Sequence, residues 1–320
     1  MSVVLELDGV TKDYPGGVRA NDGISLTVDR GAVFGLLGPN GAGKTTMVGQ
    51  ILGLIAPTAG TIRIDGVDVV RRPAVARRAC SYQPQSGAPI RGLTPVQAIE
   101  LTARIRGLSR SEARGRTERL LEALDLTEWR RRVVTQLSGG VARLVSFCMA
   151  AVAPGQVVIL DEPTNDVDPL RRKLLWGEVQ RLAQDGSAVL LVTHNVLEAE
   201  RCVDRLAIID HGRVVGDGTP AAIKRELGAT LRIEVVLDPL ASPPAVPPFL
   251  RGPVVVGRRF VADVRPAEVS EAVIWARTLQ ERRIAEEFSV GPATLEDAYV
   301  RWVQPRGEDE GVGAHAAAVG

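Results

Sequence analysis

Lysine is nearly missing from this 320-residue chain: Lys12, Lys44, Lys173 and Lys224 are the only ones among 39 basic residues. Arginine therefore carries almost all the positive charge, and a lysine inside a motif stands out. Cysteine is scarce too. Cys80, Cys148 and Cys202 are odd in number, widely spaced and set in apolar contexts, which excludes a disulfide framework and predicts buried thiols in a reducing compartment. The longest apolar stretches, such as Ala150–Ala153 and Val157–Leu160, fall far short of the roughly 20 residues that span a bilayer. The opening residues Met1–Val10 lack a charged segment followed by an apolar one, so no signal peptide is expected and the chain is expected to stay in the cytoplasm. The formal net charge is only +1, so no electrostatic footprint for nucleic acid exists and no nucleic-acid partner is expected. Internal repeats and coiled-coil heptads are also absent.

What is present is a globular composition, 45% hydrophobic and 24% charged, in a chain long enough for one large domain and a smaller one. Alternation at Val3–Leu7 and a run at Ile24–Val28 predict antiparallel strands at the front. Val33–Leu37 then reads as a buried strand, followed at once by a glycine-rich turn and a helical pattern over Thr45–Leu54. Further buried strands are predicted at Val157–Leu160, Ala188–Val192 and Leu206–Ile209, with helices at Pro169–Gln184 and Val196–Cys202 between them. Short apolar strands alternating with helices imply a mostly parallel α/β sheet, with its ligand at the strands' C-terminal ends.

Strand signals vanish between Leu93 and Thr135. Two capping boxes appear instead, Thr94-Pro95-Val96-Gln97 and Ser109-Arg110-Ser111-Glu112, and these mark an inserted helical subdomain over about 91–145. Beyond a boundary at 228/229, a strand at Leu231–Leu237 precedes a proline-rich stretch with Pro239, Pro243, Pro244, Pro247, Pro248 and Pro253. Strands at Val254–Val256, Arg259–Val264 and Ile284–Val290, with helices at Ala267–Arg282 and Thr294–Val303, predict a small α+β domain over 229–304. The Gly- and Ala-rich tail 305–320 is expected to be disordered.

Gly38-Pro39-Asn40-Gly41-Ala42-Gly43-Lys44-Thr45 matches the phosphate-loop pattern in full, between a predicted strand and a predicted helix. Its glycines let the backbone wrap phosphates and aim N–H groups and a helix N-terminus at their charge. Lys44 would contact the β- and γ-phosphates, Thr45 would place its hydroxyl on Mg²⁺, and Thr46 would add a contact toward the α-phosphate. Alone, this loop denotes only a nucleoside triphosphatase or a kinase.

Leu137-Ser138-Gly139-Gly140 narrows the choice. It precedes Val157-Val158-Ile159-Leu160-Asp161-Glu162, an apolar strand ending in two carboxylates, with Ser138 23 residues before Asp161. In order and spacing the chain resembles ABC transporter ATPases over roughly its first 225 residues. The resemblance implies an α/β phosphate-loop NTPase fold with an antiparallel β subdomain, and ATP with Mg²⁺ as the ligands. It also implies roles for single residues: Tyr14 stacking on adenine, Gln85 of Tyr82-Gln83-Pro84-Gln85 touching Mg²⁺ and the attacking water, and Asp161 holding Mg²⁺. Glu162 would polarise the water, Asp168 would lie in the loop between two halves of a dimer, and His194, at the end of a buried strand, would contact the γ-phosphate. Gln83 is the nearby competitor of Gln85, whereas His211 and His315 look incidental.

In that family Ser138, Gly139 and Gly140 complete the partner's site, so a homodimer beneath separately encoded transmembrane permease subunits is expected, at the cytoplasmic face of the membrane. One departure stands out. The signature usually continues with Gln and a basic residue, but here Val141-Ala142-Arg143 follow. The run Ile284–Val290 and the segment Thr294–Val300 resemble the accessory domain of daunorubicin-resistance-like exporter ATPases, which implies drug export. A soluble ABC ATPase acting on nucleic acid or ribosomes is the rival. It fits less well, because the loop-to-signature gap is too short for a long coiled coil and only one cassette is present.

Overall fold

The structure, a computed structural model, describes residues 2–86, 90, 92–226, 231–241, 244–292 and 294–303. The expected boundary at 228/229 and the expected disordered tail at 305–320 lie outside the described residues, as does Pro243.

The chain begins with a hairpin much longer than the alternating segments suggested. β1 (Val3–Tyr14) and β2 (Val18–Asp29) pair antiparallel, with register shifts on either side of Val10. Gly9 and Gly23 take left-handed φ there, and such irregularities hide the period-two pattern that marks a strand. β3 (Val33–Leu37) is buried along its whole length. The phosphate loop follows it and leads into α1 (Lys44–Ile51), which stops three residues short of the predicted Leu54. β4 (Ala59–Ile64) and β5 (Val67–Asp68) then extend the first sheet in the order β2-β1-β4-β5.

α2 (Pro73–Ala79) leads into β6 (Cys80–Gln83), whose polar Ser81 and Gln83 are nonetheless buried. Both capping boxes form as read. Thr94 caps α3 (Pro95–Ile105) and Ser109 caps α4 (Arg110–Ala123), each with reciprocal side-chain and backbone hydrogen bonds. Ser138 caps α5 (Gly139–Ala151). The core of the second sheet then follows as β7 (Val157–Asp161), α6 (Pro169–Gln184), β8 (Ala188–Thr193), α7 (Val196–Cys202), β9 (Arg205–Asp210) and β10 (Arg213–Gly218). Its order is β10-β9-β3-β8-β7-β6. All its neighbours run parallel except β10, which returns antiparallel on β9. Strands buried on both faces explain the unbroken apolar runs.

α8 (Pro220–Glu226) closes this part. A third, antiparallel sheet of β11 (Leu231–Leu237), β12 (Arg251–Val256), β13 (Arg259–Val264) and β14 (Ala285–Pro292) has the order β12-β13-β11-β14. It shares a buried cluster, including Ile233, Phe260 and Ala276, with α9 (Val269–Glu281). α10 (Leu295–Val303) ends the described chain. It packs against α7 and α8 of the first part, in a cluster with Val196, Ala199, Leu206 and Ile223.

Two large cores sit on either side of the parallel sheet. Phe34, Leu36, Met47 and Ile159 lie in the one beneath the β1–β2 sheet. Leu144, Phe147, Leu160 and Leu191 lie in the other, which joins the helical insert to the sheet through α5. All three cysteines are free, with Cys80 and Cys148 buried. Burial pushes the Cys80 thiol up to about 12. Phe147, fully buried at this junction, carries a direct test: Phe147→Ala is expected to lower unfolding free energy by about 3–5 kcal/mol in a denaturant titration.

Candidate functional site

The site is assembled at the C-terminal ends of β3, β7 and β8, where a doubly wound sheet leaves a crevice. β3 delivers Gly38, and the loop over Gly38–Gly43 turns back on itself before α1 begins. Two glycines are dictated by close approach. A Cβ on Gly38 would lie 2.2 Å from the Ile209 carbonyl oxygen, and one on Gly43 would lie 2.1 Å from that of Ala20. Gly43 also has φ +102, a left-handed value that favours glycine. The buried Asn21 of β2 fastens this turn by donating from Nδ2 to the Gly43 carbonyl at 3.2 Å. Its contribution could not be read from sequence, because Asn21 is distant along the chain and no motif contains it.

Ala20, Asn40, Gly41, Ala42, Gly43, Lys44, Thr45, Thr46, Gln85, Asp161 and Glu162 line a single cleft. Gly38 and Pro39 form the loop's floor: Lys44 Nζ donates to the Gly38 carbonyl at 2.6 Å and to that of Pro39 at 2.9 Å. Burial lowers the pKa of Lys44, and the nearby charges of Glu162 and Asp161 oppose that shift.

Asp161 ends β7. Burial raises its pKa, and the neighbouring Glu162 charge raises it further. The Tyr82 hydroxyl, donating to Oδ2 at 3.3 Å, and the positive charges of Lys44 and Arg143 act in the opposite direction. Burial, with the charge of Asp161 beside it, pushes the Tyr82 hydroxyl up to about 12. Glu162 turns the chain with φ +49, a left-handed value uncommon for a side-chain-bearing residue and a mark of local strain at functional sites. Its carboxylate is held from three directions. Oε2 accepts from Thr193 Oγ1 at 3.0 Å, and Oε1 accepts from the His194 backbone N–H at 2.9 Å. Oε1 also lies 2.6 Å from His194 Nδ1. An ionised carboxylate only accepts, so Nδ1 carries a proton and Nε2 remains on the ring's open side. The His194 side chain is 58% exposed.

Gln85 and its competitor divide. Gln85 lines the cleft, while Gln83 is fully buried and donates from Nε2 to the Arg143 carbonyl at 3.2 Å. Arg143 answers with its guanidinium, donating to the Gln85 carbonyl at 2.6 Å and the Pro84 carbonyl at 3.3 Å. The first basic residue after the glycines thus ties α5 to the Gln85 loop. Val141 is buried in the core instead, and its N–H meets the Ser138 hydroxyl at 3.4 Å.

Ser138, Gly139 and Gly140 do not line the cleft. They face the loop after β7: a Cβ on Gly140 would lie 2.2 Å from the Asp166 carbonyl oxygen. Asp168 in that loop caps α6, accepting from the N–H groups of Leu170 at 3.1 Å and Arg171 at 3.0 Å. Tyr14, at the end of β1, is also outside the cleft lining, with the Lys12 ammonium 5.1 Å from its ring centroid. The chemistry of the cleft is that of an anion cradle with one lysine, two carboxylates and oxygen donors, and His194 stands outside its lining, bound to Glu162.

The ABC transporter family model matches residues 21–165. The daunorubicin resistance ATP-binding protein DrrA3 of Streptomyces coeruleorubidus is 36% identical over 300 residues, 92% of this chain and 94% of its own length. A Nod factor export ATP-binding protein of Paraburkholderia xenovorans is 36% identical over 302 residues, 93% of this chain and 96% of its own length. Among solved structures, a dimeric ATP-binding cassette in a post-hydrolysis state, bound to ADP and Pi, superposes with a TM-score of 0.61. It is 26% identical and covers 67% of this chain and 98% of that one.

The raised pKa of Asp161 has a measurable sign. Its folded-state value lies above the unfolded one, so the ionised carboxylate weakens the fold above that raised value. Asp161→Asn is therefore expected to raise the denaturation midpoint of the nucleotide-free protein at neutral pH. The gain should fade as pH falls toward the ordinary carboxylate range, as followed by denaturation midpoints across pH.

Proposed function

The chain belongs to the ABC transporter ATPases, and from that premise we propose that its cleft binds ATP with Mg²⁺ and completes its catalytic site only in a homodimer that drives separate permease subunits in export. It is an ATP-binding, ATP-hydrolysing subunit of that family. One observation carries the dimer reading: Lys44, Thr45, Asp161 and Glu162 share a cleft, whereas Ser138–Gly140 face Asp166 outside it. The dimeric relative bound to ADP and Pi supports the same reading.

Within the cleft, the loop's N–H groups and Lys44 hold the β- and γ-phosphates, and Thr46 reaches the α-phosphate side. Tyr14 gives the adenine a stacking face. The oxygen donors of Thr45, Gln85 and Asp161 fit Mg²⁺, a hard cation that takes one or two protein carboxylates together with substrate phosphates. Burial of Asp161 beside Glu162 leaves a concentration of negative charge that such a cation would relieve. When bound, Mg²⁺ neutralises phosphate charge.

Glu162 orients the attacking water and accepts its proton. Its bonds to Thr193 and His194 fix the carboxylate, so little reorganisation is needed at the moment of attack. With Nδ1–H bound to Glu162, His194 donates from Nε2 to the γ-phosphate only as the imidazolium, with both ring nitrogens protonated. Gln85 senses the phosphates, and Asp168 stands in the loop that would pass between the two copies. The partner's Ser138, Gly139 and Gly140, at the N-terminus of α5, close the site over the γ-phosphate.

No described helix is long and apolar enough to cross a membrane; membership of the ABC transporter ATPases supports separate transmembrane permeases and a place at the cytoplasmic face. Relatives named for daunorubicin resistance and for Nod factor export support export of drugs or other hydrophobic compounds. Glu162→Gln is expected to hold an ATP-bound dimer, with phosphate release at least 100-fold slower. Lys44→Ala is expected to lose nucleotide binding by at least tenfold. Gel filtration with Mg²⁺ and ATP, alongside a phosphate-release assay, reads both. A Glu162→Gln protein that stays monomeric in every nucleotide state overturns the dimer reading.

A further inference from the structure

α7, the helix that begins two residues after His194, is only seven residues long. A helix this short is not stable by itself and takes its position from what it packs against. Its inner face is made of Val196 and the fully buried Ala199. That face is filled by α10, whose Leu295 and Ala298 are both fully buried in one cluster with Val196, Ala199, Leu206, Ile208 and Ile223.

Polar contacts fix the same docking. Glu200 of α7 accepts from the Leu295 backbone N–H at 3.4 Å and from Lys224 Nζ of α8 at 2.7 Å. At the other end of α10, the Trp302 ring lies against Gly216 of β10. A Cβ there would come within 2.4 Å of it, so only glycine admits the ring. An Arg232–Asp297 ion pair joins α10 to β11 of the third sheet. One helix therefore belongs to the C-terminal sheet through Asp297 and to the catalytic sheet through Leu295, Ala298 and Trp302.

We propose that Leu295 and Ala298 are positioning residues for His194. By walling the back of α7 they fix how far the imidazole reaches between Glu162 and the phosphate cleft. This rests on the reading of His194 as the group that meets the γ-phosphate. The phosphate loop, Lys44 and Asp161 stand on β3, α1 and β7, none of which holds a residue of α10's docking face except Leu37. A shift of α7 thus changes turnover and leaves nucleotide affinity nearly alone. Sub-ångström to ångström displacements of a reacting group are enough to slow a reaction strongly.

The test uses the full chain with Mg²⁺ and ATP, measuring kcat from phosphate release and Kd from titration with a fluorescent ATP analogue. Ala298→Leu, which pushes α10 away from α7, is expected to lower kcat about tenfold with Kd unchanged within about twofold. Val196→Ala in the Ala298→Leu background makes room in the same cluster and is expected to restore at least part of kcat. If Ala298→Leu does not fold, Leu295→Val probes the same contact with a smaller change. A folded variant with unchanged kcat overturns the proposal, and so does an equal loss of kcat and affinity. Wild-type protein that binds the analogue and hydrolyses ATP while His194→Ala turns over at the same rate would instead overturn the reading of His194 beneath it.

Discussion

Adjacent carboxylates at the end of a buried strand set the terms for everything around them. Asp161 and Glu162 are each only 4% exposed, and two neighbouring negative charges out of water are costly unless each is compensated separately. The chain solves this by turning. The left-handed φ of Glu162 sends the second side chain toward β8, where a hydroxyl, a backbone N–H and an imidazole N–H receive it. Asp161 is left in the cleft with Tyr82 and within the fields of Lys44 and Arg143. The division assigns different chemistry to identical functional groups. One carboxylate is locked by donors at the end of β8. The other is held near the cleft, where a cation best relieves it.

The compensation of that pair reaches into the elements that would face a second copy. Arg143 touches Asp161 through its field and the Gln85 loop through two hydrogen bonds, while Gln83 returns a bond to its carbonyl. α5 therefore cannot shift without disturbing the loop that carries Gln85. At its first turn the same helix lies on the Asp166 backbone, where Gly140 admits no side chain. The signature is thereby tied to the cleft of its own chain and aimed away from it, a geometry suited to passing the state of one site to the other. Val141 gives up a polar side chain at the helix start and is buried in the core instead, so this turn is anchored by packing and the Ser138 cap.

Motifs made of consecutive residues were legible because their chemistry and their backbone demands coincide. The phosphate loop, the β7 carboxylates, the capping boxes and the strand before His194 all fall where pattern and spacing put them. Elements defined by distant partners were not legible. β6 reads Cys-Ser-Tyr-Gln, with no apolar run, because Gln83 is buried for a bond to α5 that lies 60 residues away. β1 and β2 run on past their alternating cores because bulges at Gly9 and Gly23 reset the period. Tyr14 ends β1 seven residues beyond the predicted strand Val3–Leu7, and Ala20 rather than Tyr14 is among the residues lining the cleft. Asn21 and Arg143 carry roles fixed only by three-dimensional proximity, and no spacing rule could have named the first.

The C-terminal helix follows from the same logic of compensation. Glu162 depends on the strand end that carries Thr193 and His194, and that strand end passes directly into a seven-residue helix with little stability of its own. Burial of apolar area is what positions short helices, at roughly 25 cal/mol per Å², and α7 offers only Val196 and Ala199 for it. Leu37, Leu206 and Ile208 of β3 and β9 supply part of the surrounding wall, and α10 supplies another part with Leu295 and Ala298. Small residues at Ala199 and Ala298 let the elements come close, and the ring of Trp302 on Gly216 fixes the far end of α10. The C-terminal helix thus packs against the short helix that follows His194. The ion pair between Arg232 and Asp297 joins α10 to the third sheet, so the sheet and the helix that follows His194 share one support.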